Sequence, residues 1–260
     1  MSNMFDLASK NAVIVGGAGG IGQVIAQGIA EAGAHVAIAS RNTQALQRAK
    51  DEIKANIGVD VSCYAVDATD EESIKVLVNQ LEKDYGRIDI LVCAQGLNKK
   101  FPTQEFPADT FNEMLNVNVT GFMLCCKHFG NHMIKNQYGK IILLSSVRGR
   151  IASRNAGNMG YCATKGAVDM LTRQIAADFG EYGITVNAIG PTITETPMMT
   201  KLIEQRGGDS YRQSLAQDLP LKRMATPQDC VGTAVYLASP ASDFVTGNII
   251  YPDGGLTCVG

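Results

Sequence analysis

The 260-residue chain is poor in the usual metal ligands. It has only three histidines, His35, His128 and His132, and none of its seven cysteines forms a Cys-x-x-Cys pair. So few histidines argue against a histidine-built metal centre, and scattered cysteines of odd number suggest neither a zinc site nor a disulfide framework. Free thiols in a reducing compartment are the expectation. His128 and His132 stand four apart and read as a pair on a helix surface. Charge of one sign is also lacking: 23 Lys and Arg against 25 Asp and Glu give a net −2. Such a balance gives no general grip on nucleic acid or anionic lipid. No apolar run approaches the roughly 20 residues that a bilayer span needs. Residues 1–12 lack the basic-then-apolar pattern of a signal peptide, so the expected location is the cytoplasm.

What is present is an ordinary globular composition, 45% hydrophobic and 18% charged. The length suits one α/β domain over residues 1–260, enough to bury roughly 70–75% of its unfolded surface. Strands and helices alternate from the start. Strands are expected at Ala12–Val15, Val36–Ala39, Val61–Val66, Ile88–Ala94, Lys140–Ser145, Thr185–Ile189 and Asn248–Tyr251. Helices are expected at Gly20–Ala32, Thr43–Ile57, from a Thr69/Glu72 capping box to Tyr85, near Ala108–Lys135, at Asn158–Phe179, and at Thr226–Ala238 with Pro227 in its first position. Val/Ile-rich strands in continuous β–α alternation imply a doubly wound, Rossmann-type parallel sheet with helices on both faces. Only Pro191 to Pro220 has no assignment; a loop that long is usually functional, often a lid.

The first strand runs into Gly16-Gly17-Ala18-Gly19-Gly20-Ile21-Gly22. Glycines between a first strand and a helix let the backbone approach a pyrophosphate, and the helix then offers its N-terminal amides to the phosphates. About twenty residues on, the second strand ends Ala39-Ser40-Arg41-Asn42. An NAD enzyme carries an acid near here for the ribose 2′-hydroxyl. This chain offers instead the Arg41 fork beside the Ser40 hydroxyl, which suits a 2′-phosphate and NADP(H). Asp67, after the third strand, reads either as an adenine contact or as a turn residue.

Tyr161 and Lys165 form Tyr-x-x-x-Lys, which shares one helix face. A free phenol titrates near 10, too high for acid/base work at neutral pH, and a neighbouring cation lowers it. Bringing it to about 7 takes roughly 4 kcal/mol. Upstream, Ser146 follows the fifth strand, where a hydroxyl can hold a substrate oxygen. Asn118 sits inside a helical stretch, where asparagine needs a local backbone bond or a task.

On these marks the chain resembles the short-chain dehydrogenase/reductase family from Ala12 to about Gly255. They are Gly16-x-x-x-Gly20-x-Gly22, Asp67, Asn118, Ser146, Tyr161-x-x-x-Lys165, Asn187 followed by Pro191, and Asp253-Gly254-Gly255. The resemblance implies an oxidoreductase moving hydride between NADP(H) and a carbonyl or secondary alcohol. In it Ser146 positions the substrate oxygen and Tyr161 exchanges the proton. Lys165 binds the nicotinamide ribose and lowers the tyrosine pKa, and Asn118 keeps a water-linked proton path. The resemblance further implies cofactor contacts from Gly16, Gly20, Ile21, Gly22, Ser40, Arg41, Asp67, Ala68, Ala94, Gly96, Tyr161, Lys165, Pro191, Thr194 and Thr196, and a homotetramer.

The departures from the family pattern are Val15 for threonine, Cys93-Ala94-Gln95-Gly96 for Asn-Asn-Ala-Gly, Pro191-Thr192 for Pro-Gly, and a Ser146–Tyr161 spacing about two residues longer than the family's. Ala39-Ser40-Arg41-Asn42 looks like the gluconate- and polyol-oxidising members. A 3-oxoacyl thioester reductase and a non-catalytic NADP(H) sensor are the alternatives. Asn98, Lys99, Lys100, Arg148, Arg150 and Arg154 fall in segments bordering the substrate pocket of this fold, and no acid lies between Ser146 and Tyr161. Arg148 is the best placed of them to hold a substrate anion such as a sugar acid, with Asn98 a second substrate contact.

Overall fold

The computed structural model describes residues 4–154 and 157–259. Among these residues seven strands form one sheet: β1 (Asn11–Val15), β2 (His35–Ser40), β3 (Ser62–Ala65), β4 (Ile90–Cys93), β5 (Gly139–Leu144), β6 (Ile184–Ile189) and β7 (Ile249–Ile250). Their order is β3-β2-β1-β4-β5-β6-β7, and every pairing is parallel. The order turns back between β1 and β4, the switch point where open α/β sheets bind ligands at the carboxyl ends of their strands.

Both faces of the sheet are buried, which is why its strands read as unbroken apolar runs. Alternate residues go to opposite layers. Val13, Leu91, Ile141 and Val186 pack under α3 (Glu71–Tyr85), α5 (Gly121–Asn136) and α6 (Met159–Phe179). Ile14, Ile38, Val92 and Ile142 pack under α1 (Gly20–Glu31), α2 (Thr43–Ile57) and α9 (Val231–Ala238). Between α3 and α5 come α4 (Ala108–Leu115) and a wide π turn, Asn116–Thr120, so the long expected helix is three pieces.

Three expectations need correction. The Thr69/Glu72 box does not form. The Asp70 carboxylate caps α3 by accepting the Glu72 amide at 3.0 Å. Thr69 instead turns back to Asp67 Oδ1, with its amide at 2.9 Å and its hydroxyl at 2.7 Å, because a carboxylate is the stronger acceptor. The Pro191–Pro220 stretch is not a bare loop. It holds α7 (Pro197–Gln205), capped by Thr196, and α8 (Asp209–Ala216), packed through Ile203, Ala216 and Met224. Lastly, His128 and His132 are not a surface pair. His132 is buried and its Nε2 accepts the Ile88 amide at 3.1 Å, while His128 Nε2 meets Glu71 at 2.9 Å. The cap expected at Thr226 does form, with Asp229 Oδ2 accepting the Thr226 amide at 2.7 Å. The first turn after it, Pro227–Cys230, is a 3₁₀ turn that leads into α9.

Candidate active site

Around the loop after β1, Gly16 and Gly22 leave no room for a side chain. Gly16 has φ +88°, and a Cβ there would strike the Gln95 backbone beyond β4. A Cβ on Gly22 would run into the Gly16 carbonyl oxygen. Gly19, before α1, contributes no side-chain cap, so the first amides of that helix lack a side-chain acceptor and suit an anion. Thr196 Cγ2 lies over Gly20, 3.7 Å from where a Cβ would stand. Beside the loop, both amide atoms of Gln95 are buried without a hydrogen-bond partner. A glycine cradle, a helix start without a side-chain cap and an unpaired amide fit a dinucleotide.

At the far end of the cradle Ser40 is half-buried and Arg41 exposed. The Thr69 bonds lower the carboxyl of Asp67 from its ordinary value, with the positive charge of Arg41 adding to them. The turn role of Asp67 is therefore realised, with Arg41 facing it. Ile21 packs on the α1 layer of the core. Ala68 presents its carbonyl to Gly121 at the start of α5. Ala94 binds Val15 O through its amide at 2.7 Å, and Gly96 lies against Asn118.

Across the switch point the four residues singled out in the sequence come together. Ser146, at the end of β5, has its hydroxyl 3.4 Å from Pro191 O and takes the Arg148 amide at 3.2 Å. Tyr161 is half-buried on the first turn of α6, with the Ser146 hydroxyl near enough to favour its charged form. Lys165, only 2% exposed, donates from Nζ to Leu144 O at 2.6 Å and lies 5.5 Å from the Tyr161 ring centroid. Asn118 is fully buried in the π turn. It accepts the Leu97 amide at 2.7 Å and donates to Leu97 O at 2.8 Å and to Thr164 Oγ1 at 3.1 Å. These are not the local backbone bonds open to a helical asparagine: they tie the segment after β4, twenty-one residues away, to α6.

The electrostatics differ from the simple expectation. Burial pushes the Tyr161 phenol up to about 12, against the Ser146 hydrogen bond and the Arg148 charge. Burial also pulls Lys165 down to about 8, with the negative charge of Asp169 opposing. The lysine ammonium is spent on the Leu144 carbonyl, so in the protein alone it does not bring the phenol into the neutral range.

Among the expected cations the placements are mixed. Arg148 donates to Ala152 O at 2.7 Å, and its charge is felt at both Tyr161 and Cys162. Lys99 is paired with Glu113, and Arg150 covers the Tyr251 ring at 5.6 Å. Lys100 borders a cleft of about 790 Å³ with Phe101, Met159 and Cys162. Asn98 is exposed, its amide 3.5 Å from Asn158 Oδ1, and Arg154 is exposed. Thr194 is buried with its hydroxyl on Thr192 O, and Thr196 caps α7.

A family model described as enoyl-(acyl carrier protein) reductase, one of those for short-chain dehydrogenases and reductases, matches residues 16–257. The chain belongs to the short-chain dehydrogenase/reductase family. It is 33% identical over 256 residues to the 5-keto-D-gluconate 5-reductase of Escherichia coli (strain K12), covering 98% of both chains. It is 32% identical over 255 residues to the gluconate 5-dehydrogenase of Gluconobacter oxydans (strain 621H), covering 98% of this chain and 97% of that one. Its fold matches a gluconate 5-dehydrogenase from Burkholderia cenocepacia J2315, solved in complex with NADP and tartrate. The TM-score there is 0.89 at 33% identity, over 99% of this chain and 98% of the other. Like other members of the short-chain family, the chain is an oxidoreductase. No helix among the described residues is long and apolar enough to cross a membrane.

Two features of this family member escaped the sequence. Asp169, buried one turn beyond Lys165, takes the Ser145 hydroxyl at 2.5 Å and the Tyr251 hydroxyl at 3.2 Å. Its i+4 spacing from Lys165 was the visible sign, but Tyr251 lies 82 residues away. Gln95 was visible only as a departure from the family motif; its unpaired amide is a property of the fold.

Proposed function

We propose that this enzyme interconverts a secondary alcohol and a ketone on a sugar acid or polyol with NADP(H). The observation that carries the reading is the cluster of Ser146, Tyr161 and Lys165 at the carboxyl edge of the sheet, beside the glycine cradle and within reach of the Arg148 charge. Bound NADP(H) supplies the hydride acceptor or donor. The chain's own groups do the rest. Ser146 Oγ holds the substrate oxygen as charge develops on it. Tyr161 exchanges the proton with that oxygen, a step typically worth about 10²- to 10⁴-fold. Lys165 supports the phenolate and the ribose, and Asn118 keeps a water-linked proton path open. Arg41 and Ser40 take the 2′-phosphate. The Arg148 guanidinium, with Asn98, recognises the acidic end of the substrate.

The sugar-acid assignment is supported by the gluconate and keto-gluconate names of the relatives and by the tartrate held in the Burkholderia protein. In this reading residues 1–260 act as one dinucleotide-binding unit, with the segment near 191–220 as its lid. The working form is a cytoplasmic homotetramer, whose mass in solution light scattering measures directly.

The test is NADPH oxidation with a panel of keto sugar acids, neutral ketoses of the same size and a 3-oxoacyl thioester. The acids should give the highest kcat/KM. Arg148→Ala should raise KM for the acids at least tenfold and leave the neutral compounds little changed. Faster turnover of the thioester, or equal losses for acid and neutral substrates, would overturn the substrate assignment.

A further inference from the structure

Behind the catalytic lysine lies a buried carboxylate that the reaction does not directly use. Asp169 is one helical turn beyond Lys165 on α6 and only 5% exposed. Each oxygen has its own partner: Oδ1 takes Ser145 Oγ at 2.5 Å and Oδ2 takes Tyr251 OH at 3.2 Å. Ser145 directly precedes Ser146, and its hydroxyl also lies 3.4 Å from Lys165 O. Leu144, one residue earlier, receives the Lys165 ammonium at 2.6 Å. Two consecutive residues at the end of β5 are thus tied to α6 by two side chains four residues apart. The helix position of Tyr161 and the strand position of Ser146 are fixed against each other by this pair of rungs.

The third tie leads outward. Tyr251 follows β7, two residues before Asp253, whose carboxylate accepts the Gly255 and Thr257 amides at 2.9 Å each. Gly254 O then receives the Leu221 amide at 3.1 Å, at the foot of the α7–α8 segment. Gly149 packs so closely on Asp169 and Lys165 O that a side chain there would press on both. The 3₁₀ turn carrying Arg148 (Val147–Gly149) is thereby seated on the same carboxylate.

We propose that Asp169 is a positioning residue for the reaction. Its carboxylate joins β5, α6 and the segment after β7, one helical turn beyond Lys165. The charged and titratable groups around it are Lys165 and Arg173 on its own helix, Tyr251 after β7, and Arg150 just past the 3₁₀ turn, stacked on that tyrosine. Burial raises the carboxyl of Asp169, but the bonds from Ser145 and Tyr251 and the charges of Arg173 and Lys165 act to keep it ionised. The negative charge of Asp169 in turn raises Lys165 against its own burial. Neutralising the carboxylate therefore lets the lysine lose its proton at lower pH.

The inference rests on the reading of Tyr161 and Lys165 as the acid/base pair. The experiment compares kcat, KM and NADPH Kd of the intact enzyme with Asp169→Asn, Ser145→Ala and Tyr251→Phe across pH 6–10. Asp169→Asn should lower kcat about tenfold or more and move the alkaline limb of the kcat profile to lower pH, with NADPH Kd unchanged. Ser145→Ala and Tyr251→Phe, each removing one bond, should lower kcat by smaller factors. Wild-type kcat and an unmoved alkaline limb in Asp169→Asn would overturn the proposal. Should that variant not fold, wild-type kcat in both Ser145→Ala and Tyr251→Phe would overturn it equally. Tyr161→Phe separates the two ideas. Retained turnover in Tyr161→Phe defeats the underlying acid/base reading, whereas silence of the Asp169 group alone defeats only this inference.

Discussion

Lys165→Met should make the cofactor-free protein more stable while abolishing its turnover. The ammonium is 2% exposed, and burial pulls it from the ordinary lysine value of 10.5 to about 8. At neutral pH the fold therefore carries a charge it disfavours by about 3 kcal/mol. Methionine keeps the length and apolar stem of the side chain and removes that charge. It also forfeits the bond to Leu144 O, worth about 1 kcal/mol. The net gain should be about 2 kcal/mol, which for a chain of this size raises Tm by about 4–8 °C. The pH dependence supplies a second check. The folded-state value lies below the unfolded one, so the native enzyme sheds its penalty as pH rises from about 8 toward 10.5, and the advantage of the variant should shrink across that window. Calorimetric unfolding of both cofactor-free proteins at pH 7 and pH 10 measures both effects. A lower Tm for the variant at pH 7, or a gap that stays constant to pH 10, would refute the reasoning. Destabilising burial of this kind is what a site held ready for an anionic partner entails.

Three shorter predictions concern the same cleft. Arg41→Asp should reverse the preference for NADPH over NADH, read as the ratio of kcat/KM values; an unmodified enzyme that favours NADH would contradict it. Tyr161→Phe should cut turnover at least 10²-fold while NADPH fluorescence titration shows binding intact. Gly22→Ala should weaken NADPH binding by more than tenfold, because the added Cβ meets the Gly16 carbonyl oxygen; an unchanged Kd would mean the cradle is not the phosphate site.

Much of the architecture was legible because strands buried on both faces must be written as unbroken Val/Ile runs, as in Ile141–Leu144, and helices between them end in glycine, as at Gly58 and Gly86. The short helices α7 and α8 were not legible. They are nine and eight residues long, and helices that short hold only through packing, here on Ile203 and Met224. The catalytic cluster could be named from motif spacing, but its charge state could not. Whether Lys165 lowers the phenol of Tyr161 depends on where its ammonium points, and that is settled by Leu144, twenty-one residues away. The burial of His132 escaped for the same reason, since its partner Ile88 lies forty-four residues upstream.

The π turn at Asn116–Thr120 amounts to one residue too many in an otherwise continuous helix. Each residue advances an α-helix by about 100°, so the extra one sets α4 and α5 out of phase like two gears meshed a tooth apart. On one side the sulfur of Met114 packs against Gly160, and on the other Asn118 reaches Leu97 and Thr164. A strictly regular helix serves one set of partners or the other, never both. Deleting a single residue between 116 and 120 would tidy the hydrogen bonding and turn Asn118 out of the cleft. The span from 108 to 136 is therefore fixed in length as well as in composition, whereas an ordinary surface helix absorbs a lost residue at its frayed end.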